Sequence, residues 1–175
     1  MGQRGGGVKN PRTILALVVA ALLVFTVAFV GVLVVLVRNA DEHDPVITAY
    51  AHGKTVEVEP YVYCSVKMED CRYGQTVQLD VPPDYPLQLS LPKQIADAPW
   101  LAQLVYARPN GDRIDQVINH TNFPEGAMAV TIDSRPEPDL RLVGLELQLP
   151  ILALDKDTGK EFYLPHAAWS ISTAS

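Results

Sequence analysis

From Thr13 to Val37 the chain runs for 25 residues, rich in Val, Leu and Ala, without one charged side chain. At roughly 1.5 Å of helical rise per residue, this is somewhat more than a hydrocarbon core of about 30 Å requires, so the segment spans a bilayer with modest tilt. Arg4, Lys9 and Arg12 precede it, and Arg38 behind it is followed at once by Asp41, Glu42 and Asp44. The positive-inside rule then assigns residues 1–12 as a basic cytoplasmic tail and 13–37 as the transmembrane anchor. Residues 38–45 form a juxtamembrane tether, 46–172 an exported domain and 173–175 a C-terminal tail. The expected location is the plasma membrane, single pass, with the C-terminal domain on the extracytoplasmic side.

A cleaved signal peptide is the competing reading, because Thr26-Val27-Ala28 offers small residues for a cut after Ala28. Against it, the apolar run continues through Phe29 to Val37, where a mature N-terminus would turn polar. Met1-Gly2 fails as a myristoylation signal because Gly6 stands where Ser or Thr is needed. The run carries no ionisable residue to mark an ion path, Gly31 has no glycine partner, and Ala16 with Ala20 is a weak small-residue pair. A plain anchor is the simpler reading; docking against another membrane subunit is the alternative.

Charge divides the chain in the same place. All 20 acidic residues lie after Arg38 with 10 of the 14 Lys and Arg, so residues 39–175 carry −10 while the first 38 carry +4. An acidic exported part excludes nucleic-acid binding on a basic face, and a single apolar run excludes a polytopic channel. The tether Asn39–Asp44 reaches at most about 20 Å, which keeps the domain close above the bilayer. Anionic head groups repel such a domain, which favours a membrane-protein partner with a basic face over direct lipid docking.

Cys64 and Cys71, six residues apart in Tyr63-Cys64-Ser65-Val66-Lys67-Met68-Glu69-Asp70-Cys71, are the only cysteines. An intradomain disulfide is the economical reading on the exported side. Redox pairs have two intervening residues at a helix start, and two thiols without nearby His make a poor zinc site.

Beyond Val46 the hydrophobic period is two. Val56 and Val58, then Val77, Leu79 and Val81, then Leu87, Leu89 and Leu91 alternate with polar residues; Met128, Val130 and Ile132 follow, then Val143, Leu145, Leu147, Leu149 and Ile151. These are half-buried strands sharing one core. Turn residues separate them at Pro82-Pro83-Asp84, Pro109-Asn110-Gly111-Asp112, Arg135-Pro136-Glu137-Pro138 and Asp155-Lys156-Asp157-Thr158-Gly159. Asn110-Gly111 predicts a hairpin joining Gln103–Arg108 to Arg113–Ile118. A short helical turn fits only within Lys93–Leu104, around Ile95, Ala98 and Trp100. Seven to nine strands predict an antiparallel β-sandwich of immunoglobulin-like topology.

Val58-Glu59-Pro60-Tyr61-Val62-Tyr63-Cys64, the second Cys71, Pro86-Leu87-Gln88-Leu89-Ser90-Leu91-Pro92 and Pro99-Trp100 resemble the actinobacterial membrane-anchored family catalogued as domain of unknown function 2771. The resemblance covers about residues 46–171. It implies a signal-anchored envelope protein with a paired-cysteine β domain, and it carries over no catalytic residue.

Chemistry-bearing motifs are weak. His43 lies in the tether, His52 beside Gly53 in the first turn, His120 near Glu125, and His166 after Pro165 as a strand start; no two have metal-ligand spacing. Asp155, Asp157 and Gly159 echo a calcium loop without its later ligands, and read better as a turn. Asn119-His120-Thr121 matches a glycosylation sequon, incidental in a bacterial protein. No catalytic residue, cofactor or metal ligand is identified. The candidate interaction surface is aromatic: Tyr61, Tyr63 and Tyr73 bracket the disulfide loop, and Tyr85 and Trp100 bracket the Leu87–Leu91 strand; Tyr and Trp are favoured at binding hot spots, but filling the core is the favoured reading for most of them.

The leading expectation is a non-enzymatic single-pass envelope protein whose β domain interacts with or stabilises a larger membrane assembly, such as a respiratory, secretion or cell-wall complex. The alternative is an exported sandwich that binds an envelope lipid or small ligand between its sheets, motivated by apolar surplus at Leu149, Ile151, Leu152 and Leu154. A hydrolase without a recognisable motif is third.

Overall fold

The computed structural model describes residues 11–38 and 44–173. Residues 1–10 of the basic tail, residues 39–43 of the tether with His43, and Ser175 with Ala174 lie outside the described residues. Two compact units divide the chain, residues 1–43 and 44–175.

The first unit contains helix α1, Pro11–Arg38. Proline opens it, at a first-turn position where a missing N–H costs nothing. From Ile14 to Leu36 its side chains are apolar on every face, and Phe25 stacks on Phe29 one turn on, with ring centroids 6.4 Å apart. The hydroxyl of Thr26, the one polar side chain in that span, donates back to the Leu22 carbonyl at 2.5 Å and so has its partner within the helix. By length and composition the helix can cross a membrane, whether as an anchor or as a signal sequence.

The second unit is a two-layer β structure. Strands β1 (Ile47–Ala51) and β2 (Lys54–Val58) form a hairpin through His52-Gly53, both with positive φ, the two-residue turn whose twist matches paired strands. With β6 (Leu87–Ser90) and β9 (Ala129–Ile132) they make a four-stranded sheet in the order β2-β1-β6-β9. The larger sheet contains β3 (Val62–Tyr63), β4 (Arg72–Tyr73), β7 (Leu101–Ala107), β8 (Arg113–Asn119), β10 (Arg141–Leu154) and β11 (Glu161–Ser172), in the order β4-β3-β11-β10-β7-β8. Its seventh strand, β5 (Val77–Gln78), runs parallel to the end of β11.

Ile47, Ala49, Leu87, Leu89, Val130 and Ile132 from the smaller sheet bury against Leu104, Leu142, Leu145, Leu147, Trp169 and Ile171 from the larger. The Trp169 indole donates to the Pro45 carbonyl at 2.8 Å, fixing the point where the chain enters the domain. Thr173 closes the other end, its hydroxyl donating to the Leu142 carbonyl at 2.6 Å.

The two-sheet antiparallel architecture matches the expectation; the pairing does not establish an immunoglobulin-like strand order. Eleven strands occur among the described residues, because the chain near the disulfide breaks into pieces of two residues. The Asn110-Gly111 hairpin is present, with the Gly111 amide donating to the Arg108 carbonyl at 2.9 Å and φ at +90°. The helical turn, α2, is limited to Lys93–Ala96, and β7 starts five residues later. Three residues expected inward differ, among them Ile151 on β10, which lies outside the core cluster. Met128 is exposed beside the end of β9, and a register shift between Leu142 and Gly144 buries Leu142 in place of Val143.

Tyr106, buried on β7, donates its hydroxyl to the Asp133 carbonyl at 2.8 Å. Burial, then the Asp133 charge, pushes its pKa from the ordinary 10.0 up to about 12. In the unfolded chain this phenol ionises near 10, so its contribution to stability is complete below pH 10 and is lost as the pH rises through 12. Tyr106→Phe is expected to cost about 1–2 kcal/mol at neutral pH, and to fall less steeply than the wild type between pH 10 and 12. Urea denaturation of the full chain in micelles at pH 7, 10 and 11.5 measures both; parallel decline of the two proteins above pH 10 would contradict the linkage.

Candidate interaction surfaces

The five aromatic residues singled out in the sequence do not form one patch. Tyr61, Tyr63 and Tyr73 gather at the corner made by β3 and β4, because β3 pairs with β11 through Tyr63–Ala167 and Val62–Ala168, and β4 adds to β3 through Val62–Tyr73 and Tyr63–Arg72. Tyr85 lies elsewhere, its ring centroid 4.0 Å from that of His52 in the β1–β2 turn. Trp100 is buried and packs on Phe123 with centroids 5.7 Å apart, so it belongs to the core: α2 and the start of β7 carry it inward.

At the β3–β4 corner, Cys64 and Cys71 are bonded with Cα atoms 4.0 Å apart, as the spacing suggested. The enclosed loop folds on itself: the Ser65 amide donates to the Glu69 carbonyl at 3.0 Å, and the Met68 amide to the Ser65 carbonyl at 2.8 Å. Met68 and Asp70 both take positive φ, a conformation the cross-link helps to hold. Behind the loop the chain passes so close that a Cβ on Gly74 would lie 2.6 Å from the Pro60 carbonyl oxygen, a contact only glycine permits.

Tyr63 lies between a guanidinium and an imidazole ring. The Arg72 guanidinium lies 5.4 Å from its ring centroid and also pairs with Asp44, while the His166 ring lies 6.4 Å away. His166 stands within β11 and places Nδ1 3.1 Å from the Cys64 carbonyl. Half-buried Tyr61 donates to Glu146 at 3.4 Å; burial, then that carboxylate, raises its pKa, so it remains a donor. Tyr73 is 79% exposed. The corner is a rigid frame presenting one free aromatic ring.

Elsewhere, His120 sets Nδ1 3.4 Å from the Trp100 carbonyl, and Asn119 caps the short turn His120–Asn122 by accepting from the Thr121 amide at 2.9 Å. Among the described residues no group of three or more His, Cys, Asp or Glu is placed to hold a metal ion.

The larger apolar exposure escaped the sequence reading. β10 pairs with β7 only as far as Gln148, and β11 with β3 only at Ala167 and Ala168, so from Leu149 to Leu164 the two strands have only each other. Pro150 and Pro165 stand opposite one another at the base of this ribbon. Neither has an N–H to give a further strand, which marks where the sheet stops. Cross-strand partners share a face: Ile151 with Leu164 and Ala153 with Phe162 on one, Leu152 with Tyr163 on the other. Leu152 is 57%, Leu154 62%, Phe162 45% and Tyr163 75% exposed.

Of the surplus apolar residues read as lining a pocket between sheets, Leu152 and Leu154 project into solvent, Ile151 is half-buried and Leu149 packs against the core. Their signal was present as lost alternation on β10, echoed by Phe162-Tyr163-Leu164 on β11. At the tip, the Asp155 carboxylate accepts from the amides of Asp157 and Thr158, each at 2.9 Å, which holds its pKa below the usual range. That carboxylate serves a turn, as expected.

The family described as "Protein of unknown function (DUF2771)" matches residues 40–174. Uncharacterized protein Rv0875c of Mycobacterium tuberculosis and Uncharacterized protein Mb0899c of Mycobacterium bovis are each 36% identical over 163 residues, covering 91% of this chain and 96% of the relative. Coverage this wide takes in most of the N-terminal apolar helix as well as the β unit. No solved structure matches.

Opening the Cys64–Cys71 loop is expected to lower stability by about 2.5 kcal/mol on the chain-entropy scale for a loop of this length. The Cys64→Ser/Cys71→Ser double variant should show this in urea denaturation of the full chain, and reductant should do the same to the wild type. A loss below about 0.5 kcal/mol would mean that the loop's own hydrogen bonds, not the cross-link, hold the corner.

Proposed function

The chain belongs to the DUF2771 family, and on that footing we propose that it is a non-enzymatic, single-pass protein of the cell envelope that binds a larger membrane assembly through the β10–β11 ribbon. In this reading α1 stays uncleaved in the plasma membrane with its basic end in the cytoplasm, and the acidic β unit is exported. One observation carries the reading: a free-standing ribbon with apolar side chains exposed on both faces.

Leu152, Leu154, Phe162 and Tyr163 together expose roughly 450 Å², taking about 150–250 Å² for each full side chain. That area is divided between two faces, Leu152, Leu154 and Tyr163 on one and Phe162 on the other, and apolar exposure of this kind commonly marks an interaction site. Lipid is the poorer occupant. Asp155, Lys156, Asp157, Lys160 and Glu161 crowd the tip, so entry tip-first takes five charges into hydrocarbon, and lying flat covers one face only. A second copy brings −10 against −10. A groove in another protein covers both faces, and the free strand edges allow it to add main-chain hydrogen bonds.

A photocrosslinking amino acid at Leu152 of the full-length protein, activated in its native membranes, tests the reading. The expected product is a stoichiometric adduct with one other membrane polypeptide. Leu152→Asp/Leu154→Asp should abolish the equivalent adduct formed from Tyr163 while shifting Tm by no more than about 2 °C, since both side chains are solvent-facing. Adducts with lipid alone, with a second copy alone, or with nothing would overturn it.

A further inference from the structure

Residues 39–175 hold five arginines in an acidic setting, and three of them, Arg108, Arg135 and Arg141, line one cleft of about 410 Å³ where the β7–β8 turn meets the β9–β10 loop. Asp139 is the one carboxylate in the lining, Asp84 pairs with Arg135 at 3.5 Å, and Leu140 and Val143 add apolar surface. Pairing between β7 and β10 sets Arg141 opposite Ala107, the residue before Arg108, and both arginines line the cleft.

Their bonding is incomplete. Arg135 is fixed, its Nε and Nη2 donating to the Pro138 carbonyl at 3.0 and 2.7 Å. Arg108 Nε lies 3.2 Å from Asp139 but makes no hydrogen bond to it, because its N–H points elsewhere, and Arg141 reaches Asp80 only at 3.8 Å. The Nε atoms of both are buried without an acceptor, although the side chains as a whole are 39% and 41% exposed. Buried donors are almost always paired, and a guanidinium edge fits the two oxygens of a carboxylate or phosphate.

We propose that this cleft binds an oxyanion, a carboxylate or phosphate carried on an apolar body, with Arg108 and Arg141 turning their Nε–Nη edges onto it and Arg135 holding the wall. The apolar surface takes the body. The surrounding acidic charge repels anions at long range, so binding relies on the forked contacts and an anion has no reason to accumulate nonspecifically. The site is independent of the ribbon and of any partner there.

The test follows the arginine Nε–H resonances of the full chain in zwitterionic micelles during titration with monohexyl phosphate and with inorganic phosphate. Saturable shifts at Arg108 and Arg141 are expected, with monohexyl phosphate bound about tenfold more tightly. Arg108→Gln and Arg141→Gln should each weaken binding at least fivefold, Arg113→Gln on the exposed start of β8 should leave it unchanged, and Arg141→Lys, which keeps the charge and loses the fork, should behave like Arg141→Gln. Repeating the spectra in nanodiscs identifies the source: shifts already present with phosphatidylglycerol indicate a lipid head group, and shifts appearing only on addition of the free phosphate indicate a soluble anion. Absence of saturation at either resonance, or equal weakening by Arg113→Gln, would overturn the proposal.

Discussion

The ladder between β10 and β11 places every other strand of the larger sheet. β7 and then β8 build outward from Arg141–Gln148, while β3, β4 and β5 build from the far edge of β11. Side-chain alternation has a period of two, so a slip of one residue in this ladder would turn one strand's set out of the core, Leu145 and Leu147 or Trp169 and Ile171. Burial of Trp169 opposes that slip, and its indole is also spent on Pro45. The shift between Leu142 and Gly144 changes the phase in the β7–β10 ladder and brings a leucine inward where strict alternation would have buried a valine; a second shift, between Leu149 and Pro150, lies in the β10–β11 ladder at the base of the ribbon.

Much of this was legible in the sequence. Runs such as Leu87-x-Leu89-x-Leu91 and Leu145-x-Leu147 encode both strand and face, and Asn110-Gly111 fixes a hairpin by its demand for positive φ. The bulge was not legible, because Leu142 and Val143 are equally apolar and only the pairing with Tyr106 and Val105 chooses between them. The two-residue strands β3, β4 and β5 are too short to show a period; β5 owes its existence to an edge supplied by residues nearly a hundred positions away. Trp100 illustrates a further limit, since an aromatic residue after a proline reads equally as anchor or core, and tertiary packing decided for the core.

The ribbon was half legible. Apolar residues at Leu149, Ile151, Leu152 and Leu154 break the alternation of a half-buried strand, and a segment apolar on both faces must be covered on both faces. Sequence alone suggested that the fold would do the covering. Pro150 and Pro165 show why it does not: facing each other, they end the capacity of the ladder to recruit β7 or β3, and the smaller sheet is too short to follow. The same two features, lost alternation and opposed prolines, distinguish a projecting arm from a buried strand.

An open strand edge with exposed Leu, Phe and Tyr is ordinarily a route to self-association. Here charge opposes it at two scales. Lys156, Lys160 and three acidic residues sit at the tip, where an edge-to-edge approach would begin, and the −10 on residues 39–175 disfavours any meeting of two copies. The acidic composition is then tied to the ribbon: it lets an apolar arm stay open in solution without being covered by its own kind. On the proposed reading, a partner that covers the arm while balancing this charge offers apolar area and basic charge together.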